Sequence, residues 1–189
     1  MRIISGKKRG LRLSTVGKGD TAAHLRPTSD RVRESIFNLL MGGAYGDPLT
    51  DARVLDLFAG TGALGLEAWS RGALHVTFVD DGKKSHSLMR QNVELCDASA
   101  ETKIFRGNAT NMQSCKTKPF DLIFLDPPYG KGLGEKSLAS AHAKGWLAND
   151  ALIVFEEGTE LPYLPGFDLL DHRRYGDTHV TILEQASLT

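Results

Sequence analysis

From Arg53 onward the chain alternates short apolar runs with helical patterns, and this alternation restricts its fold more than any other feature. Residues 54–58 (VLDLF) form an apolar run of strand length, and a glycine-rich turn follows. Leu64, Leu66, Ala68 and Trp69 then belong to a helix that stops near Gly72. A second strand at 75–79 is closed by Asp80-Asp81, and a helix is expected from about Lys83 to Leu95. Residues 103–105, 121–125 and 151–156 supply three more strands. Residues 167–175 and 178–183 flank Gly176-Asp177 as a closing antiparallel hairpin. Strands alternating with helices build an α/β, doubly wound, mostly parallel sheet, here of seven strands, with helices on both faces. Ligands of such sheets bind beyond the carboxyl ends of the strands, near the topological switch point.

Ahead of this unit lies a different kind of sequence. Short apolar pieces (Ile3-Ile4, Leu11, Leu13) alternate with glycine and basic residues, as expected of a β-hairpin or extended arm over residues 1–25. Thr28 or Ser29 is placed to cap a helix in which Val32, Ile36, Leu39 and Leu40 recur, ended by Gly42-Gly43. The domain division expected is therefore an arm at 1–25 and a main unit at 26–189.

The charge follows the same division. The chain of 189 residues balances 23 Lys+Arg against 23 Asp+Glu, which argues against a uniformly basic nucleic-acid binder. Residues 1–48 hold nine bases against four acids, and the remainder holds 14 against 19. A basic arm on a mildly acidic body is the expected arrangement. Two cysteines, Cys96 and Cys115, stand in no metal-ligand spacing, no metal is expected, and a reduced cytoplasmic setting fits. The opening MRIISGKKRGLRL lacks the apolar core of a secretory leader, and no run is long enough for a membrane span.

Two segments at strand ends carry chemistry. The first is Asp56-Leu57-Phe58-Ala59-Gly60-Thr61-Gly62, between the first strand and its helix. Gly60 and Gly62 lack Cβ atoms, so the backbone can turn sharply and approach a ligand. The spacing departs from the dinucleotide pattern, and the leading residue is an acid. Asp56 suits a cationic ammonium group better than a pyrophosphate, which favours S-adenosylmethionine as cofactor. Asp80, at the end of the second strand, is placed to accept hydrogen bonds from ribose hydroxyls.

The second segment is Asp126-Pro127-Pro128-Tyr129, directly after the fourth strand. Two prolines fix the backbone and remove two donors, leaving carbonyl oxygens free. A rigid carboxylate, a carbonyl and an aromatic ring suit a planar base that bears an exocyclic amine. Tyr129 stacks on the ring, while Asp126 and the Pro127 carbonyl accept the amine hydrogens. Two acceptors localise a lone pair that is otherwise delocalised into the ring, and Asp126 can take the proton afterwards.

These residues, with the opening MRIISGKKRG-L, RPTSDRVRESIFNLL and VLDLFAGTGALGLEAWSRGA, resemble the bacterial 16S ribosomal RNA guanine-N2 methyltransferases of the small, single-domain type. The resemblance spans nearly the whole chain and implies a Rossmann-like methyltransferase fold acting on the guanine 2-amino group. It implies cofactor contacts from Asp56, Phe58, Ala59, Gly60, Thr61, Gly62 and Asp80, with Asn108 and Ala109 near the adenine. Asp126, Pro127, Pro128 and Tyr129 would hold the target guanine. The stretch 130–132 (GKG) looks like a loop, either a mobile one that closes over substrate or an ordinary flexible one. Arg2, Lys7, Lys8, Arg9, Arg12, Arg26, Arg31 and Arg33 are the candidates for RNA phosphates. The implied partner is small-subunit ribosomal RNA within an assembling particle, bound by a cytoplasmic monomer.

Four rivals stand beside this reading. Adenine-amine methylation of DNA or RNA uses the same tetrapeptide, although 189 residues leave no separate target-recognition domain. Glutamine methylation expects Asn where Asp126 stands. A non-catalytic RNA-binding assembly factor needs no intact Asp126. Carbon-5 pyrimidine methylation needs a strand-end cysteine, which neither Cys96 nor Cys115 supplies.

Overall fold

A computed structural model describes residues 1–15 and 29–186. The strands are β1 (Arg53–Leu57), β2 (His75–Asp80), β3 (Thr102–Arg106), β4 (Phe120–Leu125), β5 (Leu147–Glu157), β6 (Phe167–Tyr175) and β7 (Thr178–Gln185). They form one sheet in the order β3-β2-β1-β4-β5-β7-β6. The first five run parallel, and β7 lies antiparallel between β5 and β6. Chain order reverses between β1 and β4, so the switch point falls between the two chemistry-bearing segments.

Among the described residues four α-helices cover the sheet: α1 (Asp30–Leu40), α2 (Ala63–Ser70), α3 (Lys83–Leu95) and α4 (Leu133–Ala143). Ser29 caps α1, its Oγ accepting from the Val32 N–H at 3.2 Å. Thr28, the other candidate cap, lies outside the described residues. Ile36, Phe37 and Leu40 are buried, and the Phe37 ring meets Phe124 of β4 at 5.6 Å between centroids. With α2, α3, Ile3 and Leu13 they form one core. The other face packs under α4, with Phe120 stacked on Trp146 at 5.7 Å.

Helix α4 was not expected from the sequence. Its buried face is Gly134, Ser137, Leu138 and Ala141, which gives no apolar stripe. A Cβ on Gly134 would lie 2.1 Å from Cζ of Phe155 and 3.1 Å from Cγ of Pro127. Close packing thus explains a glycine inside a helix. The stretch expected as a closing loop is the short turn from Tyr129 into α4, with Gly132 as its left-handed cap (φ 60°). Strand β5 also starts earlier than expected, with a register irregularity against β4 between Phe120 and Leu122.

At the N-terminus Arg2 is bridged to Arg12 around a 3-10 turn at Gly6–Lys8, a short hairpin; residues 16–25 of the expected arm lie outside the described residues. The hairpin does not project from the body. Ile3 is fully buried and Leu13 nearly so, both in the core that α1, α2 and α3 share. The buried Glu67 of α2 accepts the N–H groups of Ile4 at 2.7 Å and Ser5 at 3.0 Å. Ser70 Oγ accepts from the Lys8 N–H at 3.0 Å and donates to the Ser5 carbonyl at 2.7 Å.

Candidate active site

The turn after β1 is built around two carboxylates. Asp80 ends β2, its Oδ2 accepting from the Gly60 N–H at 2.9 Å and its Oδ1 from the Gly82 N–H at 2.8 Å. Each oxygen keeps a lone pair, so an acceptor pair for ribose hydroxyls remains beside the glycine turn. Gly60 and Gly62 have φ of 56° and 77°, and Phe58 holds the same left-handed region at 60°. A non-glycine residue there is uncommon and collects at functional sites, where surrounding contacts hold it. The Ala59 N–H reaches the Val79 carbonyl at 3.2 Å, locking the turn to β2. These acceptors and close-approach glycines fit a nucleoside with a charged amino-acid tail.

Asp56 is 1% exposed, and its Oδ2 accepts from the Gly65 N–H at 2.9 Å. Burial pushes its carboxyl up to about 8; the Gly65 N–H opposes this, while the nearby Asp126 and Asp80 charges reinforce it. An adjacent ammonium group would favour the ionised form. Gly65 must be glycine, because a Cβ would meet Phe78 Cε1 at 2.5 Å and Val76 Cγ1 at 2.7 Å. Asn108 is exposed and caps the turn Ala109–Asn111, its Oδ1 accepting from Thr110 N at 2.9 Å and Oγ1 at 2.8 Å. Ala109 is buried beside it.

Strand β4 runs beside β1, with Leu57 paired to Leu125, so Asp126 lies next to the start of the glycine turn. Its N–H reaches the Leu57 carbonyl at 3.5 Å. Asp126 is half-buried, Pro127 is buried against Gly134, and Pro128 is exposed. The Tyr129 hydroxyl bonds Thr178 Oγ1 at 3.3 Å, and the Gly130 N–H donates to Glu157 at 2.9 Å. The structure thus brings the residues expected at the cofactor turn and those expected at the target base to adjacent strand ends. Gly158, Glu157 and Thr178, which border Tyr129, gave no recognisable pattern in the sequence.

The basic residues separate into different environments. Arg33 is a correction: it is fully buried on the face of α1 that carries Ile36, Phe37 and Leu40, and cannot meet a phosphate. Its guanidinium donates to Asp30 Oδ1 at 2.9 Å and to the Arg2 carbonyl. Burial holds its pKa below the usual arginine range, against the raising charges of Asp30 and Glu67. Arg33 therefore joins α1 to the hairpin. The position was legible, since 33, 36, 37 and 40 share one helical face.

Lys8 is paired with Asp97 at 2.6 Å, and the Lys7 ammonium lies 3.7 Å from the Trp69 ring centroid. Arg2, Arg9, Arg12 and Arg31 are exposed, and Arg26 lies outside the described residues. The hairpin turn touches Ser70, the last residue of α2, and Asp97, just past the carboxyl end of α3. That is a helix length, roughly 12 Å, from the glycine turn where α2 begins. The other end of the hairpin is close to that turn. Asn92 Nδ2 donates both to the Ser14 carbonyl at 3.1 Å and to the Thr61 carbonyl at 2.9 Å.

Fold and site together define a methyltransferase that takes S-adenosylmethionine. The family model described as "Conserved hypothetical protein 95" matches residues 1–184. The chain is 39% identical over 168 residues to Ribosomal RNA small subunit methyltransferase D of Escherichia coli (strain K12), covering 87% of this chain and 79% of that protein. It is 34% identical over 167 residues to the protein of the same name from Haemophilus influenzae, covering 87% and 82%. The solved structure of the Escherichia coli protein yhhF superposes with a TM-score of 0.81 at 31% identity, covering 98% and 97% of the two chains. The chain belongs to this family of small-subunit ribosomal RNA methyltransferases. Among the described residues no helix is long and apolar enough to cross a membrane.

Proposed function

We propose that the chain transfers a methyl group from S-adenosylmethionine to the exocyclic 2-amino group of a guanine in small-subunit (16S) ribosomal RNA. One observation carries this reading: Asp126-Pro127-Pro128-Tyr129 stands at the end of β4, directly beside the glycine turn of β1. The names of the relatives support ribosomal RNA as substrate, and the tetrapeptide suits an exocyclic amine.

The cofactor supplies an electrophilic methyl group on a sulfonium. Asp56 and residues 58–62 hold its amino-acid portion, Asp80 its ribose, and Asn108 with Ala109 border its adenine. Asp126 and the Pro127 carbonyl accept the two hydrogens of the guanine amine, which turns the nitrogen lone pair out of conjugation. Pro128 keeps the segment rigid, and Tyr129 stacks on the base. After transfer Asp126 takes the proton that the amine loses.

Residues 1–25 act as the RNA-facing arm and 26–189 as the methyltransferase unit. Arg2, Arg9 and Arg31 offer exposed charge to phosphates, together with Lys7, Lys8 and Arg26. The enzyme works in the cytoplasm as a monomer on an assembling particle. Replacing Asp126 by Ala should lower turnover by about 10²- to 10³-fold, with cofactor binding by calorimetry retained. Wild-type turnover in Asp126→Ala contradicts the proposal.

A further inference from the structure

Glu157, the last residue of β5, is 5% exposed, and the proposed chemistry does not use it. Its Oε1 accepts two backbone N–H groups, from Gly130 at 2.9 Å and from Gly158 at 2.7 Å. Gly130 directly follows Tyr129, so one buried carboxylate oxygen ties the end of the Asp126–Tyr129 segment to the end of β5. That segment contains two prolines and has few donors of its own with which to anchor itself.

Two further contacts act on the same ring. A Cβ on Gly158 would lie 3.0 Å from Cδ2 and 3.3 Å from Cβ of Tyr129, so the side chain of Tyr129 rests against the Gly158 backbone. The Tyr129 hydroxyl reaches Thr178 Oγ1 at 3.3 Å, and Thr178 opens β7, which pairs with β5 at Glu157 opposite His179. The ring is thus held at its base by Gly158 and at its tip by Thr178.

We propose that Glu157 is a positioning residue for methyl transfer, holding the Asp126–Tyr129 segment through Gly130, with Gly158 as the backing of the Tyr129 ring. This rests on reading Asp126–Tyr129 as the site of the target base. Hydrogen bonds from backbone N–H groups to a buried carboxylate are stronger than neutral ones and fix geometry as well as energy. Displacement of a reacting group by an ångström is enough to slow transfer about 10²-fold.

The test compares Glu157→Ala, Glu157→Gln and Gly158→Ala in the full chain. It measures kcat and KM for RNA at saturating cofactor, cofactor Kd, melting temperature, and amide exchange of Gly130 by nitrogen-15 NMR. Glu157→Ala should lower kcat about 10²-fold with cofactor Kd little changed, and should speed Gly130 exchange. Glu157→Gln keeps an acceptor oxygen and should recover most of the rate. Gly158→Ala, which displaces the ring but keeps both Glu157 bonds, should lower kcat about tenfold and leave Gly130 exchange alone.

Wild-type kcat in Glu157→Ala, or a loss explained entirely by its unfolded fraction, overturns the proposal. So does Gly130 exchange that ignores the substitution. Should Glu157→Ala fail to fold, Gly158→Ala and Glu157→Gln decide by the same kcat and exchange readouts. If the wild type methylates no guanine while Gly130 exchange still responds to Glu157→Ala, the guanine reading fails and the positioning stands.

Discussion

Two segments of this protein hang on buried glutamates, the N-terminal hairpin on Glu67 and the Asp126–Tyr129 segment on Glu157. Glu67 is fully buried, takes the N–H groups of Ile4 and Ser5, and is also paired with Arg71 Nε at 2.7 Å. Glu157 takes the N–H groups of Gly130 and Gly158, with no ion pair among the described residues. The first arrangement fixes a hairpin to the body through a neutralised carboxylate, and it draws in the arm's cations. Lys8 goes to Asp97 and Lys7 to the face of Trp69, while Arg33 of α1 goes to the interior. The second uses no cation. A count of basic residues therefore overstates the charge that the arm offers to RNA.

A group of acids gathers at the far end of the sheet. Asp47, Asp51, Asp121, Asp150 and Glu184 line a groove of about 650 Å³ at the amino ends of the parallel strands, opposite Asp126. Four of the 19 acids of residues 49–189, Asp51, Asp121, Asp150 and Glu184, thus lie at the end of the sheet away from the edge where RNA is expected.

Breaking the first arrangement should have the largest effect on stability. Glu67→Ala leaves Arg71 without its partner and removes a charge that favours the buried Arg33, at a cost of about 3–5 kcal/mol in urea denaturation. Amides of Ile4 and Ser5 should lose exchange protection. Unchanged protection would show that the hairpin's other contacts, Ile3, Leu13 and Ser70 among them, hold it without Glu67.

Asp56 gives the next effect. Its folded pKa of about 8 lies above the unfolded carboxyl value, so the native state binds the extra proton between roughly pH 4 and 8. Stability contributed by the neutral form is complete below that window and is lost as pH rises through it, by at most about 1.4 kcal/mol per pH unit. Asp56→Asn keeps an acceptor for the Gly65 N–H and should flatten that slope in the cofactor-free protein. An identical pH profile in both proteins would contradict the neutral carboxyl.

Gly65→Ala forces a methyl group against Phe78, Val76 and Asp56, and should cost about 1–3 kcal/mol by overpacking, read as a lower urea midpoint. The smallest effect belongs to the arm's surface. Replacing Lys7 and Arg9 by Ala should make the salt dependence of RNA binding shallower by about 0.7 for each phosphate no longer neutralised. A slope equal to wild type would leave these two residues structural or solvated.

The sheet was legible because apolar runs of strand length alternate with helical faces, and the closing hairpin carries its Gly176-Asp177 turn openly. Helix α4 escaped because close packing selects Gly134, Ser137 and Ala141 where an apolar stripe is usually sought. The two strand-end segments were legible for a different reason, since glycines after an acid and paired prolines leave few structural alternatives. The partners of Tyr129, Gly158 just after β5 and Thr178 of β7, lie 29 and 49 residues away in sequence, and no local pattern marks them or Glu157. Burial of Arg33 was written in its helical phase but masked by its charge.

The proposed methylation of a guanine 2-amino group at the carboxyl edge is open to direct measurement. Its sharpest test supplies labelled S-adenosylmethionine to small-subunit RNA, free and in assembling particles, and resolves the products by mass spectrometry of nucleosides. Label is expected in N2-methylguanine, with assembling particles the better substrate. Label in methyladenine or in protein, with none in methylguanine, would contradict it.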